Sequence, residues 1–381
     1  MTHKRGSTPA NVRDTNIKLI MQLLYHADCS RTELAEKTEL SNPALTKIVG
    51  ELISLGFVKE RQTVSNGERG RKQVQLEVNK DFASVIGIDF SSDDIKIVLA
   101  GFSKEVVAKR VLPDYEIITR EVLARIIELV KELLALTPSP VKCICIGLPG
   151  KINAQTGLIY KAEYKYQDCR DVSLVDLFEN TFNIKTVLAN DASLQMLAEN
   201  AEQSLSEDTV LLYNDYGTGG ALWLNGKLFE SQSGLASEFG AMPVVYNGET
   251  LIFEDICSIN AMFRESGYER NSFSEFLEGY RLGGKKENKA VSKSAQGMAL
   301  LIRSIIGVTG VREIIINGKV CDLGYSYIEK INSFLKEEKI LDLSALKLRY
   351  GRLGHSGTIM GAIEKAIDFV IKDEIKKRNN A

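Results

Sequence analysis

The first 56 residues carry apolar positions at the spacing of three short helices. Residues at i, i+3, i+4 and i+7 form one apolar helical face: Ile17, Ile20, Met21 and Leu24. A second helix is predicted over residues 31–38, because Ser30 is a good N-cap and Glu33 completes a capping box. The third helix follows the start signal Ser41-Asn42-Pro43 and ends at Gly56. Its inward-facing apolar residues are predicted to be Leu45, Ile48, Val49 and Leu52.

After Gly56 the pattern changes from a helical period to strict alternation. Phe57-Val58 begins one predicted strand, and apolar and polar residues alternate over 74–78 in a second. The turn-rich segment 65–72 between them carries three positive charges against one negative. Three helices followed by a basic β-hairpin are the layout of a winged helix-turn-helix, which places its third helix in the major groove of DNA.

Six residues of this module are predicted to contact double-stranded DNA: Ser41, Asn42, Thr46 and Lys47 on the third helix, and Arg69 and Arg71 at the hairpin tip. Asn42 suits the edge of adenine, and Lys47 suits guanine or a phosphate. The alternative interpretation is a small helical bundle with a solvated loop. Because the charge excess of one module is modest, we expect a dimer that contacts two half-sites.

From residue 84 the pattern becomes that of an α/β protein. Apolar runs over 85–90 and 95–99 predict two strands joined by a polar turn, and the runs over 210–213 and 221–224 repeat that arrangement. Between them we predict a helix over 120–136, strands over 143–146 and 187–189, and a helix over 193–202. The repeat indicates two related lobes, with ligands expected between them.

These patterns divide the chain into three predicted domains. They are a winged helix-turn-helix over residues 1–80, a first α/β lobe over 81–198 and a second α/β lobe over 199–381. The second lobe is expected to hold the dimer interface, and a C-terminal helix is expected to return to the first lobe.

Charge supports this division. The whole chain has 48 Lys and Arg against 50 Asp and Glu, a net charge of −2 that gives no indication of a nucleic-acid partner. The first 80 residues alone have 13 against 9, a net charge of +4, which leaves −6 for the remainder. A basic N-terminal module joined to an acidic body is therefore consistent with DNA binding at one end.

Other composition features exclude whole classes of protein. No apolar run approaches the length of a membrane-spanning helix, and the first residues lack the apolar segment of a signal peptide, so we expect a soluble, cytoplasmic protein with no membrane partner. The six cysteines include no C-x-x-C pair, and none of the three histidines is near a cysteine cluster. Zinc binding and histidine-based catalysis therefore have little support.

Five segments together resemble the ROK family (repressors, open reading frames, kinases): residues 40–57, 147–150, 189–192, 237–244 and 357–362. The resemblance runs from Asn16 to Gly361 and is to the repressor branch, in which a winged-helix module is fused to a sugar-kinase-like body. It implies an α/β protein with an N-terminal winged helix-turn-helix followed by a two-lobed, actin-like ROK sugar-kinase-like ATPase fold.

The resemblance also implies an effector site. In the family an Asn-Asp pair and a glutamate hold sugar hydroxyls, and the aspartate is the general base of the kinases. Carried over, these residues are Asn190, Asp191 and Glu238, with Gly150 lining the site and Glu254 as a second carboxylate contact. Carboxylates accept hydrogen bonds from vicinal hydroxyls, and an amide can both donate and accept. Asn190-Asp191 before a helix is also explained as a plain N-cap, but the neighbouring segments favour ligand contact.

Several positions depart from the family pattern. Ala241 replaces a histidine that contacts sugar and zinc, and residues 245–251 form a short loop without cysteine, so structural zinc is expected to be absent. Asp93 stands in the first nucleotide loop where a threonine is expected, Asp215-Tyr216 replaces Gly-Thr in the second, and Asn317-Gly318 replaces a double glycine in the third. We therefore expect no cofactor, no ATP binding and no enzymatic activity.

These features predict a DNA-binding transcriptional regulator, most simply a repressor, whose body binds a sugar or sugar phosphate that lowers its affinity for operator DNA. It is expected to assemble as a homodimer or a dimer of dimers. One alternative is a ROK sugar kinase with an appended DNA-binding module, in which Asp191 would be the catalytic base. Another is a repressor whose body only dimerises.

Overall fold

A computed structural model describes residues 9–62, 74–91, 93–113, 117–152, 159–161, 169, 172–206, 208–231, 236–270, 272–336 and 341–380. The helices are α1 (Pro9–His26), α2 (Arg31–Thr38), α3 (Asn42–Ser54), α4 (Arg120–Leu134), α5 (Leu174–Phe182), α6 (Asp191–Gln203), α7 (Glu254–Cys257), α8 (Ile259–Ser266), α9 (Phe273–Arg281), α10 (Lys285–Thr309), α11 (Tyr325–Leu335) and α12 (Gly357–Asn380). In these ranges no helix is both long enough and apolar enough to cross a membrane.

The strands are β1 (Cys29–Ser30), β2 (Val58–Gln62), β3 (Val74–Val78), β4 (Ser84–Asp89), β5 (Ile95–Gly101), β6 (Val106–Leu112), β7 (Val141–Leu148), β8 (Lys151–Ile152), β9 (Ile159–Lys161), β10 (Lys185–Asn190), β11 (Thr209–Asn214), β12 (Thr218–Leu224), β13 (Lys227–Leu228), β14 (Pro243–Tyr246), β15 (Glu249–Ile252), β16 (Glu313–Asn317) and β17 (Lys347–Tyr350).

Helices α1 to α3 and the sheet β1-β3-β2 form an N-terminal head. The predicted capping box of α2 is confirmed, because Ser30 Oγ accepts from Glu33 N at 3.3 Å and Glu33 Oε2 accepts from Ser30 N at 2.6 Å. The predicted core face of α3 is confirmed as well, since its four apolar residues are buried. The helix ends at Ser54, earlier than expected, and Gly56 reverses the chain with φ 81°.

The body contains two five-stranded sheets with the same strand order, β10-β7-β4-β5-β6 and β17-β16-β11-β12-β13. In each sheet the predicted hairpin, β4 with β5 or β11 with β12, is antiparallel, and two further strands are parallel to its first strand. The predicted repeat of the hairpin is therefore confirmed. Strand β6 was not predicted, because most of its side chains lie at an exposed or half-exposed sheet edge and show no buried run.

Two helices connect the parts of the body. The C-terminal helix α12 packs against α6 and against strands of the first sheet. Gly361 makes this approach close, since a Cβ at that position would lie 1.9 Å from the Leu194 carbonyl oxygen. The domain boundary predicted after residue 198 falls inside α6, which continues to Gln203. Helix α6 is thus one continuous element at the junction of the two lobes.

The head shares a hydrophobic core with the first lobe. One cluster of buried apolar residues runs from α1 and α3 through β4 and β7 to α12. The rings of Phe57 and Phe102 each lie 4.9 Å from the ring of Phe82, and Lys18 of α1 forms a 3.0 Å ion pair with Asp368 of α12. The head is therefore held by packing as well as by the chain connection.

Candidate functional site

A cavity of about 70 Å³ lies between the lobes, beyond the ends of the parallel strands β7 and β10. Three of the five residues predicted to bind the effector line it: Gly150, Asn190 and Glu238. Ligands in α/β proteins commonly bind at the carboxyl ends of parallel strands, because loops from neighbouring strands converge there. We refer to it as the interlobe cavity.

Asn190 is held in place by both ends of its amide. Its Oδ1 accepts from Ser193 N at 3.2 Å and so caps α6, while its Nδ2 donates to the Gly150 carbonyl oxygen at 3.1 Å. Gly150 has φ 97°, which favours glycine. The N-cap interpretation is confirmed, and contact of Asn190 with a ligand stays a prediction.

Glu238 reaches the cavity from a turn that lies directly on β12. A Cβ atom on Gly240 would lie 2.0 Å from the carbonyl oxygen of Thr218, the first residue of β12. A Cβ atom on Gly220 of β12 would lie 2.5 Å from the carbonyl oxygen of Leu211. Ser237, just before Glu238, has φ 67°, and its buried Oγ has no hydrogen-bond partner among the described residues. Unusual backbone conformations of this kind are enriched at ligand sites.

The other two predicted residues do not line the cavity. Asp191 begins α6, is 7% exposed, and accepts a hydrogen bond from Ala192 N at 2.8 Å through Oδ1. Glu254 is exposed, and its Oε2 accepts from Thr218 N at 3.0 Å. Their contact with a sugar stays a prediction.

Asp191 belongs instead to a group of acidic residues around Tyr213. The pKa of the Tyr213 hydroxyl is raised well above its usual value. Burial is the largest cause, and the nearby carboxylates of Asp215, Asp191 and Asp89 add to it. Tyr213 is therefore a neutral hydrogen-bonding group at physiological pH.

The turns expected to hold a nucleotide are joined across the lobes by side chains. Lys319 Nζ, from the segment after β16, forms a 2.7 Å ion pair with Asp93 of the β4–β5 turn. The same ammonium lies 5.2 Å from the ring centres of Tyr216 and Phe273, and the Arg270 guanidinium lies 4.8 Å from that of Tyr216. We call Asp93, Lys319 and Tyr216 the interlobe clasp.

The clasp alters the electrostatics expected from the sequence. Burial alone would lower the pKa of Lys319, but the carboxylates of Asp215 and Asp93 raise it, so the lysine is charged. Asp93 is therefore paired and does not stand as an isolated negative charge. The backbone donor Thr218 N in the second turn is bound by Glu254, as described above. A carboxylate on that N–H group would repel a phosphate.

The predicted DNA-contacting face can be placed in part. Ser41, Asn42, Thr46 and Lys47 are all exposed at the start and on the outer side of α3, opposite its buried face. The side chain of Ser41 forms no capping hydrogen bond, although Ser41 is the N-cap residue. Arg69 and Arg71 lie outside the described residues.

The cavity residues that were not anticipated include Ser193, Gly219, Glu230 and Ser237. The position of Ser237 beside Glu238 could have indicated it. Glu230 had no local signal, because its placement depends on a 2.9 Å ion pair with Lys365 of α12. Its role depends on packing that brings distant segments together.

The residues present do not fit a zinc site. Ala241 has no ligand atom, and residues 245–251, which span most of the β14–β15 hairpin, contain neither cysteine nor histidine. In the part of the chain that the structure describes, no group of three or more His, Cys, Asp or Glu residues is placed to hold a metal ion.

The chain is similar to several known regulators. It is 25% identical to the xylose repressor of Caldicellulosiruptor bescii over 93% of this chain and 96% of that protein. It is 23% identical to the DNA-binding transcriptional dual regulator NagC of Escherichia coli over 71% of this chain and 67% of that protein.

Two solved structures share the fold. A ROK family transcriptional regulator, a homologue of the Escherichia coli Mlc protein, has a TM-score of 0.77 at 21% identity and covers 96% of this chain and 99% of its own. A ROK hexokinase from Thermus thermophilus has a TM-score of 0.62 at 20% identity over 76% of this chain and 99% of its own. The predicted fold class, a winged helix-turn-helix followed by a two-lobed sugar-kinase-like body, is confirmed.

Family profiles match both parts of the chain. A winged helix-turn-helix DNA-binding profile matches residues 13–59. The profile of the ROK family matches residues 85–368, which is more than half of the chain. The protein therefore belongs to the ROK family.

Proposed function

We propose that this protein is a transcriptional repressor that binds operator DNA through its head and is released from it when a sugar occupies the interlobe cavity. The observation that carries this proposal is the contrast between a polar cavity lined by Asn190 and Glu238 and nucleotide turns joined by the clasp. Two relatives named as repressors, the xylose repressor of Caldicellulosiruptor bescii and the DNA-binding transcriptional repressor Mlc of Escherichia coli, support it.

The cavity lining favours an uncharged sugar over a sugar phosphate. Its described lining residues include the carboxylates of Glu230 and Glu238 and no Lys, Arg or His. Two carboxylates can accept hydrogen bonds from hydroxyl groups, whereas they would repel a phosphate. Gly150, Asn190 and Glu238 would hold the sugar in this arrangement. Asp191 and Glu254 would join them only after a movement of the lobes.

The residues at the nucleotide turns do not fit a triphosphate, so we propose neither phosphoryl transfer nor a bound cofactor. Asp93 places a carboxylate in the first turn, and Glu254 holds a backbone donor of the second. The second candidate, a sugar kinase with Asp191 as its base, is favoured by the fold shared with the hexokinase.

A physical connection runs from the cavity to the head along α12. At the cavity rim, Glu230 pairs with Lys365 of α12 at 2.9 Å. One turn further along α12, Asp368 pairs with Lys18 of α1 at 3.0 Å. A sugar that binds two lobe arrangements with different affinity would shift their populations and move α12 with them.

Helix α6 forms a second connection between the lobes. It starts at the cavity, and its Glu199, fully buried, accepts from Arg352 N and Leu353 N of the second lobe at 3.1 Å each. Buried charged hydrogen bonds of this kind resist gradual distortion, so the lobes would move between discrete arrangements. In a homodimer, such a movement would change the relative orientation of the two heads and lower the affinity for paired half-sites.

The test uses the full-length protein and an operator selected from random duplex DNA. Fluorescence anisotropy would follow binding while D-xylose, D-glucose, N-acetylglucosamine and the 6-phosphates of the last two are added. We expect one uncharged sugar to weaken DNA binding by about tenfold or more. Failure of every sugar to change DNA affinity would contradict the effector proposal.

Two further measurements separate the alternatives. With ATP and the same sugars, we expect no sugar phosphate to form. Turnover that disappears in Asp191→Asn would establish the kinase instead. For the head, Lys47→Ala should weaken DNA binding and reduce its salt dependence, whereas Lys59→Ala on β2 is the control outside α3. Equal binding by Lys47→Ala and the parent protein would remove α3 from the DNA interface.

A further inference from the structure

A second cavity, of about 240 Å³, lies where the head meets the body. Its volume is more than three times that of the interlobe cavity. Its walls come from the C-terminal half of α1, the turn after β5, the last turns of α6 and the first half of α12. We call it the junction cavity. It does not share a lining residue with the interlobe cavity.

Two hydroxyl groups of the junction cavity residues lack partners. Tyr25 and Ser103 both line the cavity, and their buried Oη and Oγ atoms form no hydrogen bond with the described residues. Ser237, in the interlobe cavity, has the same property. Folded proteins leave few buried polar atoms unpaired, because an unpaired group costs stability. Both cavities therefore carry hydroxyl groups that a ligand could satisfy.

Two charged residues that line the junction cavity, Lys104 and Glu364, are paired with each other. Lys104 forms a 2.7 Å ion pair with Glu364, and its ammonium lies 3.9 Å from the ring centre of Tyr25. Burial, together with Glu364 and Asp368, raises the pKa of Tyr25 well above its usual value, so its hydroxyl can donate at neutral pH. Because Lys104 is neutralised and the carboxylate of Glu202 also lines the cavity, this lining disfavours a phosphate or a carboxylate ligand.

The remaining lining combines apolar and polar surface. Leu23 and Met360 offer carbon surface, and Gln22 and Asn200 offer amides, which can both donate and accept hydrogen bonds. A ligand that matches this lining has no net charge, several hydroxyl groups and one apolar face. Monosaccharides and small polyols have that chemistry.

We propose that the junction cavity is a second ligand site, which takes an uncharged polyhydroxylated molecule of the size of a monosaccharide or smaller. The ligand contacts α1 of the head together with α6 and α12 of the body. It therefore binds only while the head is docked in this position, and its binding stabilises that position. This site does not depend on the interlobe cavity binding a sugar.

Hydrogen–deuterium exchange of the full-length protein tests the proposal, with D-xylose, D-glucose and glycerol as separate probes. Peptides covering residues 19–26 and 198–204 report the junction cavity, and peptides covering residues 236–242 report the interlobe cavity. We expect at least one probe to slow exchange in the first pair of peptides. If none of the three does so, the cavity holds water only and the proposal is overturned.

Three variants locate the binding. Ala201→Phe adds a ring to a residue that lines the junction cavity, and we expect the probe concentration for half-maximal protection to rise about tenfold or more. Val308→Phe adds the same ring at a position of α10 that is 84% exposed, and should leave that concentration unchanged. Ser103→Ala removes a hydroxyl that has no partner among the described residues, and should raise that probe concentration about threefold or more. This variant replaces Ala201→Phe if Ala201→Phe does not fold. If the probe concentration for half-maximal protection is unchanged in Ala201→Phe, the proposal is overturned. If Ala201→Phe does not fold, the same result in Ser103→Ala overturns it.

Glu238→Gln separates this proposal from that of the interlobe cavity. It should remove protection of residues 236–242 while the junction peptides still respond. If the junction peptides of Glu238→Gln no longer respond to the probe, their response in the parent protein is an indirect effect of binding in the interlobe cavity. That result would overturn the proposal of an independent second site. A missing response at residues 236–242 in the parent protein would count against the proposed function only.

Discussion

The interlobe cavity and the interlobe clasp face the same cleft but have opposite properties. The cavity is open and polar, and the hydroxyl of Ser237 on its wall has no hydrogen-bond partner in the part of the chain that the structure describes. At the clasp, Lys319 is neutralised by Asp93, and the N–H group of Thr218 is held by Glu254. A ligand can therefore occupy the cavity without displacing the Asp93–Lys319 ion pair, whereas a phosphate at the clasp would have to break existing contacts. This contrast is the basis of the proposed function, which is binding without group transfer.

Among substitutions that test this difference between cavity and clasp, the largest effect on stability is expected at Gly220. Gly220→Ala would place a Cβ 2.5 Å from the Leu211 carbonyl oxygen and 2.5 Å from Phe239, so the turn that carries Glu238 would be forced off β12. We expect a loss of about 3 kcal/mol in the free energy of unfolding, measured by urea denaturation.

Gly219→Ala is the matched control for Gly220→Ala. No atom lies within 4 Å of a Cβ at this neighbouring position, so we expect a change of only about 0.5 kcal/mol or less. Because Gly219 lines the interlobe cavity, sugar binding should nevertheless weaken. Equal stability of the two alanine variants would show that the turn does not rest on β12 as described.

The next largest effect concerns the charge in the cavity. Glu238→Gln keeps the shape of the side chain but removes the carboxylate that would accept hydrogen bonds from sugar hydroxyls. We expect the Kd for the sugar, measured by isothermal titration calorimetry, to rise about 30-fold, equivalent to about 2 kcal/mol. Glu249→Gln, at an exposed position of β15, should bind like the parent protein. If Glu238→Gln also binds like the parent, the cavity assignment is wrong.

A smaller effect is expected at the clasp. Asp93 has a side chain that is 54% exposed and Lys319 one that is 15% exposed, so their pairing should be partly screened. A double-mutant cycle of Asp93→Asn and Lys319→Met should give a coupling of about 0.5–1 kcal/mol in urea denaturation. Strictly additive effects of the two changes would argue against the ion pair in solution.

The pH dependence of the clasp has a definite sign. The pKa of Lys319 is raised in the folded state. The stabilisation that charged Lys319 contributes is therefore fully present below the ordinary lysine pKa, and it is lost as the pH rises through the raised pKa. Alkaline pH should therefore destabilise the parent protein more than Lys319→Met. Parallel stability curves for the two proteins would contradict this.

The smallest effect is expected where α12 meets the head. Lys18→Met removes a partly exposed ion pair, so stability should change by about 0.5 kcal/mol or less. The sugar-induced loss of DNA affinity should still fall about twofold, because α1 and α12 lose a direct link. Lys372→Met removes a pair with the same Asp368 from within α12 and is the control. An equal response in both variants would exclude Lys18 from the coupling.

Local patterns predicted much of the fold. The α2 capping box, the apolar face of α3 and the two hairpins of the body depend on residues a few positions apart, and all were found. The domain boundary after residue 198 stays a prediction, and it falls within α6, which shows no break at that position.

The site was harder to predict, because its contacts depend on chain folding. The Asp93–Lys319 pair joins residues 226 positions apart, and no local spacing indicates it. Glu254 binds a backbone N–H group of a loop 36 residues earlier, which sequence alone did not distinguish from a ligand contact. The junction cavity needs four separate segments to come together.

The hydrophobic core shared by the head and the first lobe limits how this architecture can be recombined. A head taken from another regulator would meet α12 and the Phe82–Phe102 pair with unmatched side chains, so exchange at residue 80 alone would leave a poorly packed seam. A functional chimera would have to carry α12 and the aromatic residues along with the head. In evolutionary terms, the DNA-binding module and the last helix of the chain would be inherited as one unit, although they lie at opposite ends of the sequence.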